Sequence, residues 1–141
     1  MYQDLLLATD DSDGARQATE HAIELADRLG ATLHIVSVSE DGPHSSEKQD
    51  AMRSDTEGEA AEALEEAERA ATQRDLEVTT TVRHGVPQEE IVDVAEVNAI
   101  DMIVVGTEGR TGLDHLVVGS VAEEIVRNAP VPVVTVRDQA E

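Results

Sequence analysis

The chain has 141 residues, with 31 Asp and Glu against 10 Lys and Arg, a formal net charge of −21, one aromatic residue and no cysteine. That length suits one domain with a real core and is short for two. No basic stripe or aromatic platform is present to engage a nucleic acid, and the missing cysteines exclude disulfides, thiolate metal sites and a cysteine nucleophile. The acids are dispersed along the chain, not gathered in a tail. This reads as the solvated surface of a halophilic protein, in preference to an ordinary acidic one, because self-repulsion is screened in a high-salt cytoplasm. The N-terminal run MYQDLLLATDD lacks the basic start and long apolar stretch of a signal peptide, and nothing approaches a membrane span. A cytoplasmic location is expected, with neither nucleic acid nor membrane as a partner.

Leu5 to Ala8 is a short apolar run ending in Thr9-Asp10-Asp11-Ser12, which predicts a buried strand entering a capped helix. Ala15, Ala18, Ala22, Leu25, Ala26 and Leu29 then recur at helical spacing, and Gly30 closes the pattern. Thr32 to Val38 is a second strand. A polar loop over residues 40–48 follows, then a helix from about Asp50 to Arg74 with Ala60, Leu64, Ala67 and Ala71 facing inward. The β-branched stretch Glu77 to Arg83 is a third strand. Pro87 opens a third helix, in which Ile91, Val94 and Ala95 face the core. Met102 to Val105 is a fourth, wholly apolar strand, Ser120 to Asn128 a fourth helix stopped by Pro130, and Val131 to Val136 the last strand.

This βαβαβαβαβ order, with continuously apolar strands, specifies a single α/β domain: a doubly wound parallel sheet covered by helices on both faces. Ligands of such sheets bind beyond the carboxyl ends of the strands, where strand order reverses. Two such ends carry chemistry, Thr9-Asp10-Asp11-Ser12 after strand 1 and Gly106 to Ser120 (GTEGRTGLDHLVVGS) after strand 4. They share one crevice if strands 1 and 4 are neighbours.

Four of the nine glycines lie in that second segment. Glycine turns beside a helix N-terminus bind anions through backbone N–H groups, without a charged side chain. The same glycines also serve as a bare turn, and Ser120 with Glu123 fits a capping box as well as it fits a phosphate ligand. Asp10 suits ribose hydroxyls, a metal or a helix cap; Arg110 suits a phosphate or a surface acid. His21, His34, His44, His84 and His115 show no mutual ligand spacing, so no zinc site is expected. There is no G-x-S-x-G elbow, no P-loop around the sole lysine, Lys48, and no G-x-G-x-x-G after strand 1.

Taken together, Gly106-x2-Gly109-x9-Gly119-Ser120 resembles the nucleotide signature of the universal stress protein family, in its ATP-binding branch. The resemblance extends over the whole chain, residues 1–141, through Ala8-Thr9-Asp10, Gly85-Val86-Pro87, Asp101 to Gly106 (DMIVVG) and Pro130 to Val134 (PVPVV). It implies five parallel strands in the order 3-2-1-4-5, two helices on each face, and a homodimer paired through Val131–Val136. It also implies ATP or another adenine nucleotide, with Mg2+, between strands 1 and 4. Ala8, Thr9 and Asp10 would then lie near the adenosine and the Val38 backbone would meet the adenine. Val105, Gly106, Gly109, Arg110, Gly119, Ser120 and Val121 would surround ribose and phosphates. Asp11 and Glu108 depart from the family pattern, adding carboxylates where glycine and histidine are common. The implied role is a stress-response or signalling module that binds without chemistry. A slow ATPase or phosphotransferase, and a nucleotide-free interaction protein, remain as alternatives.

Overall fold

The computed structural model describes residues 2–9, 13–39, 50–107 and 120–137. Its elements are β1 (Asp4–Ala8), α1 (Asp13–Leu29), β2 (Thr32–Ser39), α2 (Asp50–Thr72), β3 (Val78–His84), α3 (Pro87–Val97), β4 (Met102–Gly106), α4 (Ser120–Asn128) and β5 (Val133–Val136). All pairings are parallel and the order is β3-β2-β1-β4-β5, so β1 and β4 are neighbours at the point where strand order reverses.

Strand alternation divides the core into two layers. Leu5, Leu7, Leu33, Ile35 and Val104 pack under α1 and α2, against Ala18, Ala22, Ala26, Leu64, Ala67 and Ala71. Leu6, Val36, Ile103 and Val105 pack under α3 and α4, against Ile91, Val94, Ala95, Ala122 and Ile125. Two helices therefore cover each face. Leu5, Leu6 and Leu7 have no exposed surface, as a central strand covered on both sides requires. Burying each contributes about 1.5–3 kcal/mol.

Several expected boundaries move by one or two residues. The last strand begins at Val133, not Val131, since Pro132 has no N–H to offer the ladder; its carbonyl instead accepts the Ile103 N–H at 3.0 Å. The third strand lies one residue further along than Glu77 to Arg83. At the opposite end of the sheet the Asp101 carboxylate accepts the backbone N–H groups of Gln3 and Asp4, at 2.9 and 3.0 Å, while its own N–H donates to the Asp4 carbonyl. These bonds hold the start of β1 against β4.

The exit from β3 is fixed by charge and by backbone. Arg83 Nε donates to Glu90 Oε1 at 2.9 Å and its Nη2 to Asp93, tying β3 to α3. Glu90 and then Asp93 raise its pKa further above the ordinary arginine value, so the clasp keeps its cation at any physiological pH. Gly85 follows at φ +139°, and a Cβ there would stand 2.9 Å from Glu90 Oε2. Gly30, at φ +67°, has open space around the same position. Gly30→Ala is therefore expected to cost only left-handed strain, about 1 kcal/mol, and Gly85→Ala about 2–3 kcal/mol because it also displaces Glu90 from Arg83. Urea unfolding midpoints of the two variants check the order.

Candidate functional site

The carboxyl edge of the sheet has a notch at its centre. The pairing of β1 with β2 ends at Ala8↔Val36, whereas β2 continues through Ser37, Val38 and Ser39, still paired with β3 as far as Ser39↔His84. The pairing of β1 with β4 ends at Leu7↔Val104, whereas β4 continues through Val105 and Gly106, paired with Thr135 and Val136 of β5. Strand geometry makes the overhangs about 7–10 Å deep and the gap between β2 and β4 about 9–10 Å wide. Ala8 and Thr9 form the floor, with the Thr9 N–H closing the ladder onto the Val36 carbonyl at 3.0 Å. Thr107, whose N–H donates to Val136 at 2.9 Å, ends the β4 wall.

Ladder phase decides what the walls present. The Leu33 N–H bonds the Glu77 carbonyl and the Gly85 N–H bonds the Ser39 carbonyl, so odd-numbered residues of β2 face β3. Even-numbered residues face β1, as the bonds from the Thr32 N–H to Gln3 and from the Thr9 N–H to Val36 confirm. Val38 is the next even residue, and β1 has already ended there. Its N–H and C=O point together into the notch, and no described residue bonds either of them. A backbone donor and acceptor side by side match the hydrogen-bonding edge of a purine or a similar planar heterocycle.

The described lining is uncharged. Thr9 and Thr107 are 7 % exposed, Val105 is buried, and Ala8 and Val38 are half-buried. For a chain of net charge −21, a neutral notch flanked by helix N-termini spares an anionic ligand direct contact with carboxylates at these positions. To a magnesium ion the described lining offers hydroxyl and backbone oxygens and no carboxylate.

Of the residues singled out from sequence, the structure brings Ala8, Thr9, Val38, Val105 and Gly106 together around this notch. Asp10, Gly109, Arg110 and Gly119 lie outside the described residues, as do Asp11 and Glu108. Ser120 is the first described residue of α4, and exposed Val121 follows it. Glu123 accepts from Arg127 one turn further on, at 3.4 Å. Thr107 was not foreseen beside the notch; its signal was a hydroxyl directly after the apolar run of β4.

Comparison with known proteins agrees with this architecture. Residues 1–137 match the family model described as the universal stress protein family. A universal stress protein of Methanocaldococcus jannaschii is 33% identical over 141 residues, covering 97% of this chain and 83% of that one. The structure of UspA from Lactobacillus plantarum superposes with a TM-score of 0.84 at 28% identity, over 96% of this chain and 98% of that one. A universal stress protein from Archaeoglobus fulgidus, solved in complex with dAMP, superposes with a TM-score of 0.73 at 25% identity, over 96% and 98% of the two chains. The fold, the central notch and these likenesses lead to one assignment: the chain belongs to the universal stress protein family.

Proposed function

We propose that the chain is one universal stress protein domain over residues 1–141 that binds ATP, or another adenine nucleotide, in the notch between β1 and β4, and works in the cytoplasm as a homodimeric stress or signalling module. The observation that carries this reading is the Val38 backbone: its N–H suits an adenine ring nitrogen and its C=O the exocyclic amine. Asp10 takes the adenosine side. Gly106, Gly109, Gly119 and Ser120 take ribose and phosphates, beside Arg110, Val105 and Val121. Mg2+ accompanies the phosphates, with Asp10 available to its shell. The dAMP complex of the Archaeoglobus relative supports an adenine nucleotide. Among the described residues no helix is long and apolar enough to cross a membrane.

The dimer reading rests on β5. It is an edge strand, and the bonds from Ile103 to Pro132 and from Thr107 to Val136 place its even-numbered residues against β4. Val133 and Thr135 therefore turn their N–H and C=O groups to the open edge, available to a second copy.

Three outcomes are expected. Val38→Pro removes the notch-facing N–H without touching the β2–β3 ladder, and should weaken ATP binding by about tenfold or more in calorimetry; Gly109→Val should abolish it. Affinity for ATP at fixed magnesium should rise several-fold from about 0.1 M to about 1 M salt, as the Debye length contracts from about 10 to about 3 Å and the field of the −21 charge is screened; a fall with salt overturns the neutral-notch account. Thr135→Pro should convert dimer to monomer in sedimentation with nucleotide affinity retained, whereas Thr80→Pro on the opposite edge should leave the dimer intact.

A further inference from the structure

A second polar constellation lies on the α3/α4 face of the sheet, about 13 Å along β2 from Val38. His34 is registered between Leu6 of β1 and Thr79 of β3. Its Nε2 is 2.9 Å from Asp4 Oδ1 and its Nδ1 is 2.8 Å from Thr79 Oγ1. The tautomer follows from the partners. An ionised carboxylate only accepts, so the proton of the neutral imidazole sits on Nε2 and Nδ1 presents a lone pair to the Thr79 hydroxyl. The carboxylate also stabilises the imidazolium that forms if His34 takes that proton. Asp4, His34 and Thr79 thus occupy the roles of orienting acid, general base and nucleophile.

Accessibility completes the arrangement: Thr79 is exposed on an edge strand. Asp4, with Glu77 on the Thr32 hydroxyl at 3.3 Å, makes the neighbourhood negative and disfavours anionic acyl donors.

We propose that Asp4, His34 and Thr79 form an acyl-transfer site at which Thr79 accepts an acyl group from an uncharged activated ester. Thr79 Oγ1 attacks the ester carbonyl as its proton passes to His34 Nδ1, and the carbonyl oxygen takes up the displaced electron pair. Collapse breaks the bond to the leaving oxygen, which takes the proton from His34, and the Thr79 ester remains. Water then hydrolyses it by the same roles.

The test uses p-nitrophenyl acetate on the full chain. A burst of p-nitrophenolate close to one per chain is expected, with the acetyl group mapped to Thr79 by peptide mass. Thr79→Val and His34→Ala should lose the burst by tenfold or more, and Thr79→Ser should keep it. Asp4→Asn should slow it and Asp4→Glu restore it, marking Asp4 as a positioning residue. Each variant is checked for an unchanged thermal midpoint and ATP affinity, so a folding defect or a failure of the notch reading is seen separately. An unreactive wild-type chain, an acetyl group mapped elsewhere, or a Thr79→Val burst equal to wild type overturns the proposal and leaves the three side chains as a structural bridge between strands.

Discussion

β1 is the central strand of the sheet, and the notch depends on where it stops. Leu5, Leu6 and Leu7 are enclosed by helices on both faces and by β2 and β4 on both edges. The strand has no lateral freedom, and its register is set at the far end by the Asp101 carboxylate on the N–H groups of Gln3 and Asp4. A slip of one residue would exchange every buried leucine between the two layers. With β1 pinned, its early end at Ala8 leaves the backbone of Val38 with nothing to pair, and the notch results from a strand that is too short for its neighbours.

That economy suits an acidic protein. Among the described residues the notch is bordered by backbone and hydroxyl groups, with neither a carboxylate nor any of the ten bases. Among the described residues those bases work elsewhere. Arg83 clasps α3. Arg74 reaches from the end of α2 to Asp27 and Glu24 of α1. Glu24 also accepts from Arg28, and these two cations, Arg28 first, hold its carboxyl below the usual glutamate range. Its stabilising contribution is present above the unfolded-state pKa and is lost as pH falls through the lowered folded value, so these exposed pairs weaken only in acid.

Local chemistry was legible in the sequence and pairing was not. Periodicity and punctuation located all nine elements within a few residues, because apolar strand runs and the Ala stripes of α1 and α2 are local signals. The strand order came with the resemblance carried by Gly106, Gly109, Gly119 and Ser120, not from the periodicity. What could not be read was how far each strand outlasts its neighbour, since that is a property of register. The same holds for His34. Spacing among the histidines carries no sign of its role, because its partners Asp4 and Thr79 lie 30 and 45 residues away and meet it only across the sheet.

The inner face of α1 is made of small residues, with Ala18, Ala22 and Ala26 wholly enclosed against the sheet. Such a face lets the helix axis lie close, and it leaves no slack: a single added methylene has to be met by moving the whole helix, because close-packed interiors pass strain along instead of absorbing it. α1 begins at Asp13, just beyond the floor of the notch and about 13 Å along the helix from Ala22. The position of that helix mouth is therefore governed from a distance by side chains that never meet a ligand. The approach of that helix mouth to the notch is tunable through the thickness of an alanine layer, with the residues around the notch left unchanged.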